Sequence, residues 1–168
     1  MCGIAGIMFK NASLEGAATG EALISMLDGC QHRGPDSTGF ALYGDLQENQ
    51  YQLRFFVDEG EEGRHARNRI YTILDKYNAK IVKDGTIRNN YRVTITYRGD
   101  IQSFAYELEH AAKVISIGRS LEIIKDVGSA REVDDRFHVA DYKGTHGLGH
   151  VRLATESEVK PEAAHPFW

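Results

Sequence analysis

The sequence has 168 residues, of which 42% are hydrophobic and 26% are charged, a balance that is ordinary for one soluble domain with its own core. A formal net charge of -4 and an isoelectric point near 6.0 argue against nucleic-acid binding, because neutralising phosphates needs a basic surface. Two cysteines, no signal peptide and no long apolar run predict a cytoplasmic protein that has no disulfide framework and enters no membrane.

The first part of the chain predicts strands around one helix. Residues 2–9 combine glycines with isoleucines and a phenylalanine, which predicts a buried strand with close backbone contacts at Gly3 and Gly6. Apolar residues then recur at helical spacing up to Cys30, which predicts a helix of about four turns with Ser13 as a candidate cap. The turn HRGPDS ends that helix, and two predicted strands follow, TGFALYG and YQLRFFV.

The remaining segments predict a mixture of helices and strands. A charged stretch from Glu59 to about Ala79 has one apolar face and predicts a helix. IVKDGTI predicts a hairpin that turns at Asp84-Gly85, and YRVTITY alternates as a half-buried strand does. SFAYELEHAAKVISIG predicts a helix and then a strand, and GTHGLGHVRLATES predicts a short strand after a glycine-rich approach. Between residues 60 and 130 we find no pattern that carries chemistry.

The second residue is the first candidate for chemistry. A thiol is nucleophilic as the thiolate, and an ordinary cysteine, with a pKa of about 8.5, needs a neighbouring base. If Met1 is removed, Cys2 carries a free α-amine with a pKa of about 7.7 to 8.0, low enough to take the thiol proton directly or through one water. Gly3 lets substrate and backbone come close. The alternative is a buried structural cysteine at the start of a strand.

Two further groups place polar side chains beside predicted strands. In HRGPDSTG, Arg33 offers a planar fork for a carboxylate, and Asp36 suits either binding that fork or capping backbone amides. In GHVRLATES, Arg152 next to Thr155 suits an α-carboxylate, by bidentate pairing plus a hydroxyl group. Each group also has a structural interpretation, the first as an ordinary turn and the second as a surface ion pair.

The histidines and the second cysteine leave another alternative open. His32, His146, His150 and His165 lie near these motifs, so a cysteine–histidine enzyme is an option. None of the four stands out as the general base, and an α-amine makes a histidine base unnecessary. The seven histidines show no metal-ligand spacing, and we expect neither a metal nor a cofactor. Cys30 fits the last apolar contact of its helix and receives no role.

The order and spacing of the motifs resemble a known family. MCGIAGI at the start, HRGPDSTG at residues 32–39, and GHVRLATES followed by AAHPFW are similar to the pattern of class II glutamine amidotransferases, the N-terminal-nucleophile glutaminase domains. ATES in place of the commoner ATHG, together with GRSLEIIKDVG at residues 118–128, looks most like the stand-alone glutaminase subunit of the glutamate synthase and N-methylglutamate synthase group. The resemblance covers both ends of the chain, and the middle matches only loosely.

The resemblance implies a glutaminase that hydrolyses the side-chain amide of L-glutamine to glutamate and ammonia through a thioester on Cys2. It implies that Arg152 binds the substrate α-carboxylate, that Thr155 lines the same pocket, and that Arg33 supports substrate binding by ordering the turn near the nucleophile. The implied partner is a synthase subunit that accepts the ammonia. The implied fold is α+β, a four-layer αββα sandwich of the N-terminal-nucleophile hydrolase type.

The sequence departs from the family pattern in two respects. Leu153 and Glu156 stand where other members often have a tryptophan and a histidine. In addition, the family's oxyanion hole uses an Asn-Gly pair after the HP motif, and residues 1–168 do not reach it. We therefore expect residues 1–168 to form an amidotransferase domain that is incomplete at its C-terminus, an interpretation that the uncovered aromatic residues at the chain end also favour. Alone it should be weak or inactive, since lost oxyanion donors cost about 10²- to 10³-fold in rate.

Two other functions are alternatives to this enzyme. A degenerate domain could bind glutamine or support a synthase complex without catalysis, an interpretation that draws on Leu153 and Glu156. A hydrolase of another N-terminal-nucleophile type, such as an acylase, would share the nucleophile Cys2. That second alternative gives no reason for Arg152 before ATES, and we rank it last.

Overall fold

The computed structural model describes residues 1–10, 17–44, 48–155 and 159–168. Over these residues the protein is α+β, as the sequence predicts, with four α-helices and eight strands in two four-stranded sheets. The chain divides into two compact units. Met1–Asp45 and Ile123–Trp168 form the terminal unit, and Leu46–Glu122 form the central unit.

Most predicted helices and strands are present. The elements are β1 (Gly3–Met8), α1 (Thr19–Cys30), β2 (Ser37–Tyr43), β3 (Gln50–Phe56), α2 (Gly60–Lys76), β4 (Lys80–Ile87), β5 (Asn90–Thr96), α3 (Ile101–Ala111), β6 (Lys113–Gly118), β7 (Leu121–Val127), α4 (Ala130–Phe137) and β8 (His146–Arg152). Ser13, the predicted cap of α1, lies outside the described residues. In the part of the chain that the structure describes, no helix is both long and apolar enough to cross a membrane.

The terminal unit is built on a sheet with the strand order β1-β8-β2-β7, in which β8 runs antiparallel to both β1 and β2. Helix α1 packs closely against β8, because two glycines of that strand leave room for it. A Cβ atom on Gly149 would lie 2.6 Å from Cδ1 of Leu27, and one on Gly147 would lie 2.7 Å from Cδ1 of Leu23. The predicted close contact at Gly3 is confirmed, since a Cβ there would lie 2.9 Å from a methyl group of Val151.

The central unit is built on a sheet with the order β4-β5-β3-β6, in which all neighbouring strands are antiparallel. Its helices α2 and α3 contribute apolar side chains to a core of its own. The largest fully buried side chains of this core are Leu53, Phe55, Ile70, Leu74, Tyr91, Ile95, Phe104 and Leu108. Because α2 presents Ile70 and Leu74 on one face, the helical periodicity of the sequence already indicated this core.

A buried ion cluster lies in the central unit beside this core. Arg54 of β3 and Glu122 of β7 are almost fully buried and pair with each other, and Nε of Arg92 lies 2.8 Å from the same carboxylate. Burial lowers the pKa of Arg54, and the charge of Glu122 opposes that effect. Such a cluster is sensitive to the loss of one member, because the remaining charge would be buried without compensation.

The hairpin predicted at Asp84-Gly85 is wrong in its position. Strand β4 continues through both residues, and the turn to β5 lies at Arg88-Asn89 instead, with Arg88 at a φ of 51°. The Asp84 carboxylate accepts hydrogen bonds from the hydroxyl groups of Tyr71 and Tyr91, at 2.9 and 3.1 Å. These distant partners keep Asp84 in the strand, although Asp-Gly is a strong local turn signal.

Helix α4 was not predicted, and the sequence did contain a signal for it. Ser129 and Glu132 form a capping box, in which the backbone amide of Glu132 donates to the serine hydroxyl oxygen and the amide of Ser129 donates to the glutamate. A Ser-x-x-Glu spacing before a short amphipathic segment is the pattern that would have identified this helix.

Candidate functional site

The register of the strands brings the three sequence motifs to one end of the sheet in the terminal unit. Gly3 of β1 pairs with Val151 of β8, and Ser37 of β2 pairs with Arg152. Because β8 is antiparallel to both neighbours, the starts of β1 and β2 meet the end of β8. Cys2, which directly precedes Gly3, therefore lies at the same end as the turn HRGPDS and Arg152. We call this the motif end of the sheet.

Asp36 connects the motifs at this end. Its backbone amide donates to the carbonyl of Arg152 at 3.0 Å, and its carboxylate accepts from the amide of Ala154 at 2.6 Å. Its own carbonyl accepts from the amide of Gly128 at 2.9 Å. Of the two roles that the sequence left open for Asp36, the structure therefore has the amide cap. Gly34 packs closely on the same strand, since a Cβ there would lie 2.4 Å from a backbone carbonyl of β8.

Cys2 is exposed at the motif end, directly before the first strand. Met1 is 80% exposed, and its sulfur accepts a long contact from the guanidinium of Arg33 at 3.8 Å. Arg33 ends the short 3₁₀ turn Gln31–Arg33 that follows α1. Removing Met1 would therefore do two things at once, giving Cys2 a free α-amine and leaving the Arg33 fork without its sulfur contact.

Arg152 is the last residue of β8, and its position in the strand decides which face it occupies. Alternate residues of the strand point to opposite faces. Gly147, Gly149 and Val151 lie on the face that α1 covers, so Arg152 lies on the opposite face together with His150. Arg152 is half-buried there, which suits an arginine that binds a planar carboxylate.

Two histidines come together on the same face as Arg152. The rings of His150 and His165 meet edge to face, with centroids 4.7 Å apart. Burial lowers the pKa of His150, and the charges of His165 and Arg152 lower it further. Burial also lowers the pKa of His165, and the charges of Arg152 and Lys125 lower it further. The lowered pKa values favour the uncharged form of both imidazoles on the face that carries Arg152.

Both histidines lie near the sequence motifs, but the sequence did not predict that their rings contact each other. A signal for His150 was available, because it lies two residues before Arg152 in a predicted strand and must share its face. The contact with His165 was not predictable in this way, since that residue follows β8 in a segment without a regular period. The stacking of His146 on Tyr43, with ring centroids 4.2 Å apart, was missed because the two residues are partners across β8 and β2, and the pairing of strands far apart in the chain is not a local property of the sequence.

The structure places the four predicted site residues unequally. Cys2 and Arg152 both lie at the motif end, and Arg33 contacts Met1 there. Thr155 is exposed beyond the end of β8, Leu153 is half-buried beside it, and Glu156 lies outside the described residues. Over the described ranges, no three histidine, cysteine, aspartate or glutamate side chains come together as a group that could hold a metal ion.

Two similar proteins have names that agree with the resemblance indicated by the sequence motifs. The chain is 35% identical, over 174 aligned residues, to a protein of Methanothermobacter thermautotrophicus named "Putative glutamine amidotransferase". It is similar to glutamine amidotransferases. A second relative, "Glutamine amidotransferase-like protein GlxB" of Rhizobium meliloti, is 32% identical over 170 residues. No protein-family model matches the chain.

Both alignments include nearly the whole of this chain but only part of each relative. They cover 99% of the chain in each case, and 56% and 54% of the two relatives. The chain thus spans about half the length of the curated relatives that it matches. The resemblance to glutamine amidotransferases that the motifs indicated is therefore supported across 99% of the chain, including its middle, where the motifs gave little information.

Proposed function

We propose that residues 1–168 form the N-terminal portion of the glutaminase domain of a class II glutamine amidotransferase that uses an N-terminal nucleophile. The observation that carries this proposal is that Cys2, Asp36 and Arg152 lie together at the motif end of one sheet. A thiol and a nearby guanidinium are the groups needed to bind an amino acid by its carboxylate and attack its side chain. The names of the two relatives support L-glutamine as the substrate.

The proposed reaction begins when Met1 has been removed. The α-amine of Cys2 takes the thiol proton, and the sulfur attacks the side-chain carbonyl carbon of glutamine. The C–N bond then breaks as the α-ammonium returns its proton to the leaving nitrogen, so that ammonia departs and a thioester remains. A water molecule gives a proton to the amine and attacks the thioester, the C–S bond breaks, and glutamate and the free thiol are formed.

Arg152 binds the substrate α-carboxylate in this proposal. The half-buried position of its side chain at the motif end supports that role, because a partly desolvated guanidinium pairs more strongly with a carboxylate than an exposed one does. Thr155 adds a hydroxyl group just beyond the strand. Arg33, released from Met1, orders the turn beside the nucleophile.

The rest of the proposal concerns fold and partner. The two sheets and four helices support the four-layer αββα arrangement of the N-terminal-nucleophile hydrolases. We assign residues 1–168 to the N-terminal portion of that domain, with oxyanion donors from sequence outside this range. Ammonia passes to a synthase subunit of the glutamate or N-methylglutamate synthase kind, in the cytoplasm.

Mass spectrometry of the purified protein tests the nucleophile directly. We expect the chain to lack Met1 and to gain one label on Cys2 when it is incubated with a chloromethyl ketone analogue of L-glutamine. L-Glutamine should slow the labelling. A Cys30→Ser variant serves as the matched control and should label normally, whereas Cys2→Ser should not label at all.

Two results would contradict the proposal. The first is a chain that keeps Met1, because the base would then be absent. The second is a chain that lacks Met1 and whose Cys2 reacts with the glutamine analogue at the same rate whether or not L-glutamine is present. Calorimetric binding of glutamine without labelling or ammonia release would instead support the non-catalytic module.

A further inference from the structure

Lys125 of β7 is a buried cation that the proposed reaction does not use. It is 4% exposed, and it belongs to the GRSLEIIKDVG stretch that the sequence singled out without a physical reason. Its ammonium group donates to the backbone carbonyls of Ala164 at 2.9 Å and Pro166 at 3.2 Å, with a longer contact to Glu162 at 3.4 Å. The ammonium also lies 4.5 Å from the ring centroid of Phe167.

These contacts explain how a lysine is tolerated in a buried position. An ammonium group has three N–H donors, and burying it without partners is costly. Three carbonyl oxygens from one short segment, residues 162–166, accept those donors, and an aromatic ring covers the cation. One side chain therefore fixes the path of a segment that lacks sheet hydrogen bonds of its own.

The segment that Lys125 binds reaches the face of the sheet that carries Arg152. A Cβ on Gly39 of β2 would lie 1.9 Å from the carbonyl oxygen of His165, so the segment packs directly on that strand. Gly39 pairs with His150, and the His165 ring contacts the His150 ring. The ring of Phe167 in turn meets the His165 ring edge to face, with centroids 4.8 Å apart.

We propose that Lys125 is a positioning residue, which holds residues 162–167 against β2 so that they form one wall of the glutamine site. The inference rests on the proposed function for the identity of the site. The contacts of Lys125 do not depend on that function. They hold the carbonyl groups of Ala164 and Pro166 on either side of His165, whose ring lies beside that of His150.

Trp168 makes the inference measurable, because it is the single tryptophan of the chain and directly follows this segment. We compare quenching of its fluorescence by acrylamide in the wild type, in Lys125→Met, which has no N–H donors, and in Lys125→Gln, which has two. Lys143→Met is the matched control, since Lys143 is an exposed lysine of the same unit. Circular dichroism selects a temperature at which every variant is folded.

The same proteins are labelled at Cys2 with the glutamine chloromethyl ketone and, separately, with iodoacetamide. The ratio of the two rates separates substrate positioning from the reactivity of the thiol. In Lys125→Met we expect the quenching constant of Trp168 to rise and the rate ratio to fall by about 10- to 100-fold, the range that a small misplacement of a binding group causes. Lys125→Gln should show smaller changes of the same sign, and Lys143→Met should match the wild type.

The inference is overturned if the Trp168 quenching constant of Lys125→Met equals that of the wild type. It is also overturned if that constant rises while the ratio of the two labelling rates stays unchanged. If Lys125→Met fails to fold, Lys125→Gln decides by the same two measurements. A wild-type protein that never labels with the ketone refutes the proposed function instead. The quenching constants then decide by themselves whether Lys125 positions the segment.

Discussion

Asp36 illustrates what a single residue can do at the motif end. Its carboxylate binds the amide of Ala154, just after Arg152, while its backbone bonds to both β8 and the end of β7. A carboxylate cap of this kind positions the segment that carries Arg152 and Thr155 without contacting a substrate. The sequence suggested the residue type correctly, but the choice between capping an amide and binding Arg33 depended on a residue far along the chain.

Replacing Asp36 by alanine should destabilise the protein. The half-buried amide of Ala154 would lose a charged acceptor, and the loss of such a hydrogen bond costs about 1 to 3 kcal/mol. Urea denaturation measures the free energy of unfolding. Asp135→Ala, at an exposed position of α4, is the control and should leave that free energy nearly unchanged. An equal effect of the two substitutions would show that the cap contributes nothing.

The histidine pair predicts a dependence of stability on pH. The pKa values of His150 and His165 are lowered in the folded state from an ordinary value of 6.5, so the unfolded state binds more protons as the pH falls. The resulting stability is present above pH 6.5 and is lost as the pH falls below that value towards the lowered pKa values. Denaturation at pH 7 and at pH 5.5, about one unit below the ordinary value, measures the loss.

A His150→Gln variant removes one titrating ring and keeps a polar side chain of similar reach. We expect its stability to fall less between the two pH values than that of the wild type. His32→Gln, at an exposed position outside the pair, is the control for replacing a histidine, and its pH dependence is compared with that of the wild type. Equal losses in the wild type and in His150→Gln would contradict the neutral pair.

At the scale of elements, the contacts of β7 explain the GRSLEIIKDVG stretch, for which the sequence alone offered no physical reason. Lys125 binds the C-terminal segment, and Asp126 is buried in an ion pair with Arg136 of α4 at 3.1 Å. The carbonyl oxygen of Gly128 accepts a hydrogen bond from the hydroxyl group of Thr38. Gly128 also has a φ of 101°, a conformation that other residues rarely adopt. Residues 125–128 of this stretch therefore connect the site face, a helix and the start of β2 within the terminal unit.

Packing of α1 on β8 predicts a second effect at this scale. Gly149→Ala would place a methyl group 2.6 Å from Cδ1 of Leu27, and overpacking of this kind costs about 1 to 3 kcal/mol. Gly29→Ala is a matched control in α1, where a Cβ meets nothing within 4 Å, and it should stabilise the helix slightly. Thermal melting followed by circular dichroism compares the two. A melting temperature of Gly149→Ala at or above the wild-type value would contradict the close packing.

What could be predicted at this scale follows from how local each signal is. The apolar spacing of α2 and the alternation of β5 are local, and both elements were found. The turn of the β4–β5 hairpin was misplaced because the hydroxyl groups of Tyr71 and Tyr91, which lie outside the turn, bind Asp84. The pairing of Gly3 with Val151 and of Ser37 with Arg152 is not local at all. Only the resemblance to a family indicated that these residues belong to one site.

For the whole molecule, the division of the chain was the least predictable property. The central unit is inserted between the two parts of the terminal unit, and the boundary falls inside β7, between Glu122 and Ile123. Composition does not change at that boundary, so the sequence suggested no division. Each unit has its own apolar core, and the residues of the candidate site all belong to the terminal unit.

The place of β1 in the sheet has a consequence for how the protein is made. Among the described strands, β1 lies at an edge of its sheet and pairs with β8, which comes last in the chain. A chain is synthesised from its N-terminus, so β1 waits for its partner until residues 146–152 have left the ribosome. On the proposed function, an aminopeptidase that removes Met1 therefore has the time in which residues 9–152 are synthesised to act, before the first strand pairs with its neighbour.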